Sequence, residues 1–175
     1  MMRRLVPFSV LLSATLLLIS GCATAPTLAV LAPELEPPRR DLIAELHALV
    51  VADDAIVVEP LPDGEVEDLR VDAERALALR DLERAGRSLT QALQLRPGRP
   101  DLLQMRAEVA LGLQALDEAE QFAIASFESG PRLGPLCRRN WAAIQLAREV
   151  RGNVDAAEVA RAEGQRCTME PPLRM

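Results

Sequence analysis

The sequence predicts an all-α fold, a row of about three helical hairpins behind an N-terminal helix. Three observations carry this expectation. Ala85, Leu89, Ala92 and Pro97 are answered 34 residues later by Ala119, Ala123, Ser126 and Pro131. Aromatic side chains make up only 2% of a chain that is 49% hydrophobic, so its core must come from Ala, Leu and Val, which suit closely spaced helices. Finally, Pro and Gly gather between the periodic stretches, in Gly98-Arg99-Pro100-Asp101 and Ser129-Gly130-Pro131, and break the chain into hairpins.

Within each unit the spacings of four and three place small or apolar residues on one helix face, where another helix can approach. The proline ends the unit because it cannot continue the hydrogen-bonded ladder. Leu82-Glu83-Arg84-Ala85 is matched by Leu116-Asp117-Glu118-Ala119 and again by Val154-Asp155-Ala156-Ala157. The last step is 38 residues, and the four extra ones are expected around Gly134 to Cys137. The expected pairs are 66–79 with 82–95, 100–113 with 116–129, and 138–151 with 154–167. Gly152-Asn153 makes the third turn.

A 34-residue helix-turn-helix period with this alanine pattern resembles the tetratricopeptide repeat. The resemblance spans about residues 66–168. Leu69, Leu103 and Trp141 stand at the family's large position, with Ala73 and Ala107 at the small position that follows in the first two units. The family's mid-helix aromatic is replaced by Ala76, Ala110 and Arg148, and Arg161 stands where the third unit should carry an apolar residue. The alternative is an irregular helical bundle with an accidental period. The resemblance implies an α–α superhelix, stabilised by stacking of about three repeats. It also implies a concave face, formed by the first helices, that would hold a peptide or partner helix. Carried over, that face comprises Glu67, Arg70, Glu74, Gln104, Glu108 and Arg139. Most of its charges are acidic, so an Arg- or Lys-bearing peptide is the expected ligand; the alternative is a merely solvated surface.

Residues 1–21 read as a signal peptide: Arg3 and Arg4, then an apolar run from Leu5 to Ile19 that Pro7, Ser9 and Ser13 interrupt. The run ends in Ile19-Ser20-Gly21-Cys22, which resembles the lipobox of bacterial lipoproteins. That resemblance implies that Cys22 is acylated and becomes the first residue of the mature chain, giving stable anchoring through several acyl chains. An ordinary secretory signal cut after Ala25 and an uncut anchor are the alternatives, and Pro26 speaks against the first. With Ala23 after the cysteine, the periplasmic face of the outer membrane is the expected location.

Residues 22–40 hold Pro26, Pro33, Pro37 and Pro38 and read as an extended tether of up to roughly 50 Å. Residues 41–65 form an N-terminal helix and connector. Asp41 is the expected cap; Leu42, Ile43, Leu46 and Leu49 form the apolar stripe. This helix is expected to cap the first hairpin, and His47 to lie on its surface. Pro60, Pro62 and Gly64 mark the connector, in which Ile56 to Val58 could be extended. Residues 169–175 are a tail.

Cys137 and Cys167 stand at the two ends of the third hairpin, which are neighbours when its helices run antiparallel. In an oxidising compartment they are expected to form a disulfide; free thiols in a cytoplasmic chain are the alternative. Their spacing matches no zinc or redox motif.

The formal net charge is −6 and the pI about 4.9, which excludes an electrostatically driven nucleic-acid role. With one His and no Tyr or Lys, acid–base chemistry has few candidates. No phosphate loop, cofactor motif or metal cluster stands out, so the expectation is not an enzyme but a protein–protein interaction module. The leading expectation is a pilotin-like scaffold or assembly factor at the outer membrane, docking a protein or peptide partner in the periplasm. A structural module that self-associates through its last repeat, near Ala160, is one alternative. An accessory subunit of a cell-wall or polysaccharide enzyme complex is another.

Overall fold

The computed structural model describes residues 39–50 and 64–168. The expected signal peptide, Cys22, most of the tether, the connector with Ile56 to Val58, and the tail lie outside these residues. The described chain is helical throughout, with seven helices and no strand. They are α1 (Leu42–Leu49), α2 (Gly64–Ala78), α3 (Leu82–Leu95), α4 (Pro100–Gly112), α5 (Leu116–Ser129), α6 (Pro135–Val150) and α7 (Val154–Arg166). Helices α2/α3, α4/α5 and α6/α7 form three hairpins, and successive hairpins stack α3 on α4 and α5 on α6. The architecture is the expected α–α superhelix.

Turn chemistry repeats with the chain. Each first helix ends in a left-handed residue: Arg80 at φ 60°, Gln114 at φ 60° and Gly152 at φ 76°. One residue later a backbone N–H reaches back five residues, from Asp81 to Ala76 O (2.9 Å), Ala115 to Ala110 O (2.8 Å) and Asn153 to Arg148 O (2.9 Å). This closes the otherwise orphaned carbonyls at a helix C-terminus. The steps between equivalent turns are the 34 and 38 residues seen in the sequence. Asp81 then caps α3 by accepting from the Arg84 N–H at 3.1 Å.

The small residues of the second helices sit where helices meet. Ala85, Ala92, Ala119, Ala123 and Ser126 have no exposed surface, and Ala157 and Ala160 are buried in α7. Ser126 is polar but satisfied: its hydroxyl donates to Pro100 O at 2.7 Å, closing the base of the second hairpin. Beside it, a Cβ on Gly130 would lie 2.9 Å from the Pro100 Cβ, so only glycine fits that approach. Arg161 turns outward, exposed, and pairs with Glu158, which leaves the inner face of α7 to its alanines.

Three placements differ from expectation. The four inserted residues do not all fall between hairpins: α6 begins at Pro135 and runs 16 residues against 13 for α4. Pro135 occupies the first turn, where its missing N–H costs nothing. Leu49 of α1 is half exposed, since the helix ends there and its stripe stops at Leu46. The largest difference concerns α1 as a whole. It does not cap the first hairpin but packs against α4 and α6. Leu42 and Leu46 join one apolar cluster with Leu111 of α4 and Leu146 and Ala147 of α6.

An isolated helix of eight residues is not stable in water, so α1 is helical because it is docked. Burial of Leu42, Ile43 and Leu46 contributes about 1.5–3 kcal/mol each. Ordering the segment costs about 1 kcal/mol per residue, a total of the same order. Asp41 adds a cap, accepting from the Ala44 N–H at 3.1 Å, and its carboxylate also receives Arg80 at 2.6 Å.

Candidate docking groove

The first helices of the hairpins share one side of the domain, and a groove of about 440 Å³ opens along it. Arg70, Glu74 and Leu77 of α2 form one wall, Gln104, Met105 and Glu108 of α4 the floor, and Arg139 of α6 the far end. Ile43 and His47 of α1 form the remaining wall. The structure therefore brings Arg70, Glu74, Gln104, Glu108 and Arg139 to one groove. Glu67 stands beside it, bonded to Arg70 with its Oε2 3.0 Å from Nε.

The groove is not the acidic field that its residue types suggest, because its carboxylates are already matched. Arg70 lies between Glu67 and Glu74, and Arg99 pairs with Asp101 at 2.9 Å. Glu108 is almost wholly buried, contacts His47 Nε2 at 3.2 Å and pairs with Arg139. Burial pushes the Glu108 carboxyl up, but His47 and Arg139 outweigh it and hold it below the ordinary glutamate value. The surplus negative charge that would select an Arg- or Lys-bearing peptide is thus largely spent inside the protein.

Gln104 differs from its neighbours. It is 1% exposed, and neither its amide oxygen nor its amide nitrogen has a hydrogen-bond partner among the described residues. A buried amide left this way carries a desolvation cost of about 1–3 kcal/mol. It lines the groove floor with its amide buried rather than presented at the surface.

The sequence did not reveal the parts that α1 supplies. His47 has the composition of an ordinary surface residue, and only the docking of α1 brings it to Glu108. The pattern Leu42, Ile43, Leu46 announces a buried face without saying what covers it.

At the far end of the domain, Cys137 in the first turn of α6 is joined to Cys167 after α7, with Cα atoms 5.7 Å apart. The Gly134 N–H donates to Cys167 O at 2.7 Å, so the link between hairpins is tied to the chain end twice. Ala160 has no exposed surface, and the outer face of α7 presents Val154 and Val159 instead, so contacts made near Ala160 are internal to the third hairpin. No three His, Cys, Asp or Glu side chains gather to hold a metal among the described residues.

No family model and no curated protein matches the chain. Among solved structures it is similar to the globular C-terminal domain of P. aeruginosa LpoP. The identity is 28% and the TM-score 0.56, over 60% of this chain and 99% of that one. The LpoP domain is thus matched along nearly its whole length by part of this chain.

Proposed function

We propose that this chain, in the manner of the LpoP domain it resembles, is an outer-membrane lipoprotein serving as a regulatory accessory subunit of a peptidoglycan synthase. The observation that carries this reading is the LpoP likeness, which spans almost the whole of that domain at 28% identity. It favours the cell-wall reading over the pilotin-like assembly factor that signal peptide and repeat pattern alone suggest. In this reading residues 66–168 are tetratricopeptide-type repeats, Cys22 carries the lipid and residues 22–40 span the distance to the synthase. The Cys137–Cys167 disulfide fits an oxidising periplasm. The chain performs no chemistry of its own and needs no cofactor. It acts by binding, with the groove along α2, α4 and α6 as the docking side.

A photo-crosslinking residue in place of Glu74, at the exposed lip of the groove, tests this in intact envelopes. Capture of a peptidoglycan synthase is expected. Capture of a pilus, secretin or β-barrel assembly component instead would contradict the reading. Palmitate labelling is expected to vanish in Cys22→Ala, and its persistence would contradict the lipid anchor.

A further inference from the structure

Helix α1 occupies the side of the domain that the docking reading needs. Its apolar stripe lies across α4 and α6, in one cluster with Leu111, Leu146 and Ala147, and its edge walls the groove. Any partner that contacts the whole of this side must meet α1 first.

The way α1 is held suits exchange rather than permanent burial. It is a single short helix, and its only deeply buried side chains are Leu42, Ile43 and Leu46. Two of its polar fastenings sit at the rim, Asp41 with Arg80 and Arg40 with Glu149 at 3.4 Å, while exposed His47 reaches down to the buried Glu108. Departure of α1 leaves no buried charge stranded, because Glu108 keeps Arg139. The surface beneath is preformed by two long helices that are anchored in their own hairpins.

We propose that the face of α4 and α6 beneath α1 is a receptor for an amphipathic helix, and that α1 is its resident occupant, displaced when a helix of the partner docks. The resident shows what fits. Aliphatic side chains stand at three positions spaced i, i+1 and i+4, and a carboxylate at the N-cap faces Arg80. A partner helix of this kind enters by the helix-in-groove mode, with main-chain needs met internally and specificity set by the apolar anchors. Competition with α1 then sets the apparent affinity, which falls by the fraction of molecules whose receptor is open. This inference rests on the proposed docking to a synthase for the identity of the partner, but not for the existence of the receptor.

The probe is a fluorescent synthetic peptide of residues 39–50, titrated by anisotropy against the full chain in detergent. The second titrant is the full chain carrying Leu42→Asp and Leu46→Asp, which unseats α1 without altering the receptor. The unseated chain is expected to bind the peptide at least tenfold more tightly than the parent. A peptide with the same two aspartates is expected to bind neither chain. Equal affinity in parent and unseated chain would overturn the proposal. If the double variant loses its helical circular dichroism, Leu46→Ala makes the same comparison, with a severalfold gain expected and no gain overturning the proposal. A dimer that trades α1 between copies, seen by light scattering, would replace the partner helix by a second copy of this chain and overturn it as stated. Synthase capture that excess peptide does not reduce would sink the receptor and leave the proposed function standing. Tighter peptide binding without synthase capture would do the reverse.

Discussion

The imidazole of His47 on α1 stands 3.2 Å from the buried carboxylate of Glu108 on α4, joining the N-terminal helix to the floor of the groove. Glu108 also holds Arg139 of α6, so one carboxylate ties three helices together.

That carboxylate should make the domain sensitive to acid. The Glu108 pKa in the folded chain lies below its ordinary value of 4.5. A depressed folded-state pKa means stability that is present above the unfolded value and lost as pH falls through the folded one. Urea unfolding followed by Trp141 fluorescence should therefore show a midpoint that declines as the pH drops below about 4.5. Glu108→Gln should cost about 1–3 kcal/mol at pH 7 and flatten that decline. A variant with the same acid slope as the parent would show that Glu108 is not responsible.

The Cys137–Cys167 disulfide encloses a separation of 30 residues. Reduction, or Cys137→Ser with Cys167→Ser, is expected to lower unfolding stability by about 3–4 kcal/mol on the loop-entropy estimate. Unchanged urea midpoints with and without reductant would rule out a stabilising role for the bond.

Left-handed turn residues offer a paired test. Gln114 adopts φ 60°, a conformation that costs a side-chain-bearing residue about 1 kcal/mol relative to glycine. Gln114→Gly should raise the thermal midpoint. Gly152→Ala should lower it by a comparable amount, since a Cβ there meets nothing within 4 Å and only the backbone strain is felt. Opposite or absent shifts would mean that the turns relax.

The alanines at the helix contacts leave no spare room. Ala119→Leu should destabilise by about 1–3 kcal/mol through overpacking. The same substitution at exposed Ala78 should be nearly neutral. Equal effects at the two sites, measured by thermal unfolding, would contradict the tight contact.

How much of this was legible in the sequence follows from which forces are local. The spacing from Ala85 to Ala119 to Ala157 and the breaks at Pro97 and Pro131 are local properties of each hairpin, and they foretold the stacking. The turn residues Arg80, Gln114 and Gly152 keep the same steps, although only the glycine announces its conformation. Relations between distant elements were not legible. Leu42 and Leu46 could have packed on α2 or α3 as readily as on α4 and α6. Glu67, Glu74 and Glu108 read as an acidic field. The i,i+3 and i,i+4 spacing of Arg70 to Glu67 and Glu74 foretells their pairing, but nothing in the sequence shows that Arg139, on a separate helix, turns toward Glu108. Gln104 looked like any helix-surface amide until the groove formed around it. The start of α6 was misplaced because an insertion can lengthen a connector or a helix, and Pro135 is compatible with both.

The most direct test of the central claim is the rate of glycan polymerisation and crosslinking by a purified peptidoglycan synthase from the same cells, measured with and without this chain in detergent. Proposed action as an accessory subunit predicts a saturable, severalfold change in rate that is lost when the exposed lip of the groove is altered by Glu74→Arg. A rate that is indifferent to the chain at every concentration would contradict it.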